Sequence, residues 1–580
     1  MSLPNAPTSG DRALAWALLI LVALRLAYHA TYLGEVPFAL GTFSDGAVYE
    51  ASARDIVEHP PLGTEPFYLQ GAYAYLLALG MTIRSWATLG LLVQLLLAGV
   101  ALVVAHRGFV RLWGPRTGRV TTILLLACPA LAFYENKFVS ASLGVACNVF
   151  VFAAFVGLLG QLGQRESGWR AWLAKVARAG LFGIASGLAI LARPNLLLAL
   201  PFSMLALLAL EPGRLVARLR AASPSLAAFV IGVGLALAPM AIRNQIVTGY
   251  PDIQPIHGGG TSFYIGNNPE ATGLWNDAGL LSGRLGTERV ELLEQLGVDA
   301  TLDERTQARA IGDELYRRAF AWIGANPGAW LRLELHKLWL TTGNQQLTQD
   351  YDWLGERELI PWANRVALPF SVLLALALIG AAVVGRREGE APSIASGLTP
   401  RWRPALAWWL VGQFTALLVA NLLFFTSAQH RLPLVLPLVI LAGPGAIAIV
   451  EQVQTRGRSK PARLALGWWI AALLVIGQGM WPRLARTSPN SVHYYNLAVV
   501  QDEIGEPLAA LESLDRAIEL RPNYPIFHGE RAHLRFRVGD LDGAERDLEI
   551  VFASPDTPRW VRDRAELDRS GVAHERLLPR

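Results

Sequence analysis

The chain has 580 residues, of which 53% are apolar and 17% charged, with a mean hydropathy of +0.34. That balance excludes an ordinary soluble globular protein, and a net charge of +5 over this length leaves no nucleic-acid footprint. The two cysteines, Cys128 and Cys147, lie in apolar stretches and read as small buried residues, not as a disulfide framework or a metal site. The first apolar segment, Ala13 to Leu33, is long enough to cross hydrocarbon, and no small-residue cleavage site follows it. About eleven spans are predicted, at 12–33, 85–105, 119–134, 137–161, 178–193, 194–211, 224–242, 363–385, 404–425, 432–450 and 464–482. The short apolar segment Ala72 to Ile83 reads as a helix lying at the interface.

Sidedness follows from the basic residues. Clusters at Arg107–Arg119, Arg165–Arg178, Arg214–Arg220, Arg386–Arg403 and Arg456–Arg463 occupy every second connection, as cytoplasmic loops do. The opposite face then receives a first outer loop (34–84), the turns at Tyr134–Lys137 and Arg193–Asn195, a long outer loop (243–362), and the turn Thr426–Arg431. The segment after Trp481 falls on that outer side as well. Residues 1–487 form the predicted polytopic membrane domain and 488–580 a soluble helical appendage.

Chemistry-bearing residues recur at these outer turns. In the first loop Glu35, Asp45, Glu50, Asp55, Glu58 and Glu65 face only Arg54, and Asp45 stands at the membrane edge, where a carboxylate is costly to desolvate. The second turn offers Glu135 and Lys137, the third Arg193. The fourth runs from Arg243 into Gly258–Pro269, with Tyr264 and Asn267. His336, Lys337, His430 and Arg431 complete the set. Carboxylates and cations on one face suit a general base opposite an anionic leaving group. Structural roles compete at each position: Lys137 and Arg431 as snorkelling anchors, Glu135 paired with Lys137, and His430 as hydrogen-bonded structure. Arg25, in mid-span, demands a buried partner. Gly258–Gly260 lacks the strand and helix context of a phosphate loop, and no nucleotide-binding fingerprint occurs, so a donor carried by the membrane fits better than a nucleotide sugar.

In residues 490–557 a period of 34 relates Ala498 to Ala532, Gly505 to Gly539, Ala510 to Ala544 and Leu514 to Leu548. With Pro522 closing the first unit, the pattern resembles tetratricopeptide repeats at 490–523 and 524–557, followed by a capping helix at Trp560 to Leu567. Arg531 departs from it by standing at an expected apolar position. So short an array is expected to lean on the membrane domain, and such repeats commonly bind partner proteins.

The order of an acidic first outer loop, a second acidic turn, Leu191-Ala192-Arg193-Pro194-Asn195, Arg243-Asn244, Gly258–Pro269 and the late His430-Arg431-Leu432-Pro433 resembles the polytopic GT-C glycosyltransferases. Within them it is similar to the bacterial group related to dolichyl-phosphate-mannose protein mannosyltransferase and aminoarabinose transferase, over roughly residues 12 to 450. The resemblance implies an all-α membrane bundle that transfers a sugar from a polyprenyl-phosphate donor to a hydroxyl of a glycolipid, polysaccharide or protein, with inversion. It implies Asp45 as base, Glu135 as a second acid for acceptor or metal, and Arg243 and Arg431 for the lipid phosphate. Lys137, Arg193, Tyr264, Asn267, His336, Lys337 and His430 are further substrate-binding candidates. A divalent cation, Mg²⁺ or Mn²⁺, would take Asp45 and Glu135 as ligands. The expected place is a bacterial inner membrane, with the long loop and the repeats outside. A secondary transporter or lipid flippase is the rival, and a membrane anchor for a working C-terminal module is a third possibility. Mid-membrane discontinuities with self-similar halves would mark the transporter.

Overall fold

The computed structural model describes residues 9–83, 87–161, 168–253, 255, 258–276, 288–344, 347, 349–363, 368–385, 401–454, 490–555 and 557–577. All regular structure among these residues is helical. The predicted span at 464–482 and the whole basic cluster at Arg456–Arg463 lie outside the described residues.

Seven helices are long and apolar enough to cross a membrane, or eight when one bent pair counts as a span. The protein is an integral, multi-pass membrane protein. The long spans are α1 (Ser9–Glu35), α4 (Ala87–Trp113), α7 (Ala141–Gln161), α8 (Trp169–Ala192), α10 (Leu215–Thr248), α17 (Trp402–Leu423) and α19 (Val435–Gln454). The bent pair is α5 (Pro115–Leu126) and α6 (Pro129–Glu135), which meet at 58°. Pro129 at the first turn of α6 cannot donate into the preceding turn, so the chain breaks there.

Two of the expected spans come out shorter among the described residues, and prolines account for it. The segment expected at 363–385 is reduced to α16 (Phe370–Val384), because Pro369 stands immediately before its first turn. The segment expected at 194–211 begins as a 3₁₀ turn at Pro194–Ala199 and becomes α9 (Leu200–Ala209). At 15 residues α16 is about 22 Å long, short of the roughly 30 Å hydrocarbon core. The segment Ala72–Ile83 is the helix α3 (Gly71–Met81), with Tyr73, Ala74, Leu77 and Ala78 buried against the protein, α2 (Asp45–Glu58) included, and Leu79 exposed on its other side.

Helices in lipid gain little from apolar contact alone and associate where small residues let backbones meet. The α8–α10 pair does this: a Cβ on Gly183 would strike the backbone of Phe229, and one on Gly232 the backbone of Gly180. In α1 the flanks Leu19, Ile20, Leu24 and Leu26 are exposed, as lipid-facing side chains are. Its face Arg25, Tyr28, His29 and Tyr32, spaced one helical turn apart, points into the protein.

The long outer loop is itself helical: α11 (Gly258–Gly266), α12 (Glu288–Leu296), α13 (Glu304–Ala325), α14 (Pro327–Thr342) and α15 (Trp353–Leu359). The Gly258–Gly260 run opens α11, and a Cβ on Gly260 would collide with the backbone of Gly312 on α13. Those glycines serve helix packing. α18 (Ala428–Arg431) fills the last outer turn.

Beyond residue 489 come α20 (Ser491–Glu503), α21 (Pro507–Leu520), α22 (Pro525–Val538), α23 (Leu541–Ala553) and α24 (Arg559–Leu577). α20 starts 34 residues before α22 and α21 starts 34 before α23 (525 − 491 and 541 − 507). Ala498, Ala510, Leu514, Ala532, Ala544 and Leu548 are all buried where these helices cross. Arg531 tolerates its site because Asp547 and Asp515 pair with it, inside a network that also holds His528 and Arg535.

Candidate functional site

The turns assigned to the outer face converge, and most of their charges are spent on holding one another. Arg25 donates to both oxygens of Glu135, one through Nε at 3.0 Å, and His29 Nε2 lies 3.3 Å from the same carboxylate. This supplies the partner that Arg25 demands. It also replaces the expected Glu135–Lys137 pairing, because Lys137 turns the other way. The Lys137 ammonium, 1% exposed, pairs with Glu356 of α15 and sits 3.9 Å from the Tyr32 ring centroid and 4.4 Å from that of Phe133. Tyr28 donates to the other Glu356 oxygen. The two pairs bolt α1, α6 and α15 together; an unpaired charge here would cost several kcal/mol.

Other candidates are similarly committed. Arg243, 2% exposed, donates to the carbonyls of Leu62 (2.8 Å) and Glu65 (2.6 Å) and lies over the Phe67 ring, bracing the first outer loop. Arg431 donates to the Gly343 carbonyl at 2.6 Å, closing the C-terminal end of α14, where a cation is favoured. Lys337 binds Glu334 and the Leu422 carbonyl, both at 2.7 Å. Asn267 donates to the carbonyls of Phe263 and Leu423 and accepts from Trp330 Nε1 at 3.1 Å. The Phe263–Pro269 stretch is thus a joint between α11, α14 and α17, with Tyr264 partly buried beside it. His336 is exposed, and His430 Nδ1 faces the Phe425 carbonyl at 3.2 Å.

One group differs. Asp45 opens α2, and Ser44 before it holds φ 49°, the only non-glycine positive φ among the described residues. A serine in that region is strained, and such strain gathers at functional sites. Gly46 permits it by letting the first turn of α2 lie against Phe138. Ser44 Oγ donates to Asp350 Oδ1 at 2.7 Å, which draws a carboxylate from the long loop to the side of Asp45. Burial raises Asp350 above the ordinary aspartate value, opposed by the Ser44 hydroxyl. Burial, with the carboxylates of Asp350 and Asp45, raises the Tyr351 hydroxyl, and burial with Asp45 raises that of Tyr49.

Arg193 closes the group. It follows the last turn of α8, where Pro194 ends the helix. Its Nη2 donates weakly to the Gln429 carbonyl at 3.4 Å, and its buried Nε has no partner. Burial lowers the guanidinium, opposed by Tyr49, Asp45 and Tyr134. Sequence reasoning placed Asp45 and Arg193 but missed Asp350, Tyr351, Ser44, Tyr49 and Glu356. Only the clustered acids of Asp350-Tyr351-Asp352, in a loop otherwise assigned by its length, carried any signal for them.

The donor set does not fit the expected cation. Glu135, its proposed second ligand, has both oxygens engaged by Arg25 and His29, and no group of three or more His, Cys, Asp or Glu that could hold a metal occurs among the described residues.

No protein-family model matches the sequence, and no curated protein matches it. Among solved structures the chain is similar to the oligosaccharyltransferase of Archaeoglobus fulgidus complexed with Zn and sulfate (15% identity, 88% of this chain, TM-score 0.44), and it spans only 57% of that protein's length. It is similar to the AglB oligosaccharyltransferase of the same organism with an inhibitory peptide and a dolichol-phosphate (12% identity, 87% of this chain, 60% of that one, TM-score 0.40). It is also similar to ArnT from Cupriavidus metallidurans bound to undecaprenyl phosphate (15% identity, 97% of this chain, 78% of that one, TM-score 0.35). Likenesses at this level fix neither the fold nor the chemistry of the chain.

Proposed function

We propose that the protein is a membrane glycosyltransferase that moves a sugar from a polyprenyl-phosphate donor to a hydroxyl acceptor at the outer face of a bacterial inner membrane. The observation that carries this is the gathering of Asp45 beside a strained Ser44, of Asp350 held by that serine, and of Arg193, whose buried Nε has no hydrogen-bond partner. A carboxylate that acts electrostatically on a cation, as Asp45 does on Arg193, suits displacement at a carbon that bears a phosphate leaving group.

In the step we assign, the Asp45 carboxylate takes the proton of the acceptor hydroxyl. The acceptor oxygen forms its bond to the anomeric carbon as the bond from that carbon to the phosphate oxygen breaks. Polyprenyl phosphate leaves with the extra negative charge, and the configuration inverts. Arg193 meets the developing charge through a charge-assisted hydrogen bond. This moves the phosphate role from Arg243 and Arg431, whose guanidinium groups grip backbone carbonyls, to Arg193. Glu135 becomes a structural acid. Asp350, held by Ser44, keeps Asp45 in place and lends it negative potential.

The test is release of polyprenyl phosphate from a panel of radiolabelled polyprenyl-phosphate sugars by the protein in lipid. Release by the wild type and not by Asp45→Asn supports the assignment; equal release by both refutes it. A folded protein that neither releases nor binds any donor favours a transporter.

A further inference from the structure

The C-terminal helices carry more than a repeat surface. We propose that α20 is a positioning element of the site, holding the Asp350 segment against the Ser44–Asp45 turn; the proposal rests on the site assigned above. Three observations converge on it.

The first is polar. Asn496 of α20 donates to the Asp350 backbone carbonyl at 2.8 Å, Asn490 N–H donates to Asp352 Oδ2 at 3.2 Å, and Tyr494 Oη donates to Glu358 at 2.7 Å. These bonds follow the chain from Asp350 into α15, whose N-terminus Asp352 also caps through Leu354 N–H at 2.8 Å.

The second is steric. The buried His493 ring lies directly on Gly355, where a Cβ would overlap the imidazole. The same ring meets Phe38 edge-on at 5.8 Å. Phe38 stacks near Phe43 at 5.0 Å, and Phe43 on Tyr351 at 4.7 Å. One aromatic group therefore joins α20 to the residue before Ser44 and to the residue after Asp350.

The third is the core itself. Leu497 and Val500 of α20 are buried in the same apolar cluster as α1, α7 and α17, whereas Ala498, Ala510 and Leu514 form a separate cluster with the rest of the tail. A recruiting module on a tether would not give its first helix to the membrane domain. Here one face of α20 belongs to each, and the Asp350 segment lies beneath it. Asn496 is a positioning residue: it touches no substrate and acts through Asp350.

The test uses the full chain in lipid, comparing wild type, Asn496→Leu and Gly355→Ala. Backbone hydrogen exchange over residues 349–360 is read together with the kinetics of polyprenyl-phosphate release. Both variants are expected to speed exchange in that segment and to lower kcat by roughly 10-fold to 100-fold with KM for the donor unchanged. Asn496→His, which keeps a donor, is expected to recover part of the loss. Gly355→Ala acts on the contact from the membrane side, so the pair stays informative if one variant fails to fold. Unchanged exchange overturns the proposal, as does faster exchange with kcat intact. If the wild type releases no polyprenyl phosphate, the transferase assignment fails while exchange still decides whether α20 orders the segment.

Discussion

Two sets of charges share the converging turns, and they differ in what surrounds them. Glu135, Lys137, Arg243, Lys337 and Arg431 are closed: each finds an opposite charge or a backbone carbonyl at hydrogen-bond distance. The set of Asp45, Asp350 and Arg193 has one open position: two carboxylates lie near one hydroxyl, and the buried Arg193 Nε has no hydrogen-bond partner. That nitrogen is the donor that a substrate phosphate would meet under the function proposed above.

The sharpest way to break that contrast is to neutralise one member of each set. Asp45→Asn is expected to lower transfer by about 10²-fold to 10⁴-fold, the range of a general base, with a smaller loss of thermal stability than Glu135→Gln. Glu135→Gln is expected to do the reverse. It leaves Arg25 buried beside a neutral amide, and breaking such a pair costs about 3–5 kcal/mol, visible as a lower unfolding temperature in lipid or detergent. If Glu135→Gln abolishes transfer while the protein stays fully stable, the division between the sets is wrong.

The Lys137–Glu356 pair sharpens the same comparison. Lys137→Met alone leaves the buried Glu356 carboxylate without its cation and is expected to cost about 3–5 kcal/mol, whereas Lys137→Met with Glu356→Leu is expected to recover most of it. A thermal double-mutant cycle measures the coupling. On the open side, Arg193→Lys keeps the charge and loses the forked donor. It is expected to reduce transfer by about tenfold, equivalent to about 1.4 kcal/mol of transition-state stabilisation, with a smaller change in donor affinity. Equal transfer by Arg193→Lys and wild type would return the phosphate to another cation.

How much of this was legible follows from the range of each interaction. Span positions were readable because twenty apolar residues announce themselves locally, and they erred where Pro194 and Pro369 shorten a helix from within an apolar run. The 34-residue period was readable because Gly505 and Gly539 repeat the same local turn, with φ of 84° and 86°. Charge pairing was not readable. Arg25 meets Glu135 across 110 residues, Lys137 meets Glu356 across 219, and Ser44 meets Asp350 across 306. Neighbouring Glu135 and Lys137 invited pairing with each other, but Glu135 ends α6 and Lys137 lies two residues on, past the end of the helix, where it meets Glu356 instead. Position at an outer turn therefore found the right neighbourhood without telling scaffold from site.

The smallest expected effect lies where α20 meets the first outer loop. Glu503 closes that helix beside Gly41, and burial together with the nearby Glu50 raises its carboxyl above the ordinary glutamate value of 4.5, opposed by the Thr42 amide. Glu50 is itself held by Thr42 Oγ1 at 2.6 Å and by Arg54 at 2.7 Å. A carboxyl whose value is raised on docking binds its proton more tightly docked than free. Its contribution is fully present below the ordinary value and is lost as pH rises through the raised one. Docking of α20 is therefore expected to loosen with rising pH across that window, read as faster hydrogen exchange at residues 38–46 and 491–504. Burial holds His493, also on α20, down at about 4, against the pull of Asp352, so from its ordinary 6.5 down to about 4 its protonation works against docking, opposite in sense to Glu503 and overlapping its window. The Glu503 effect is therefore read as the difference between wild type and Glu503→Gln, which keeps the shape without the titration and should stay more tightly docked than wild type above 4.5, with the His493 slope retained. Equal exchange by the two proteins at every pH would remove Glu503 from the switch.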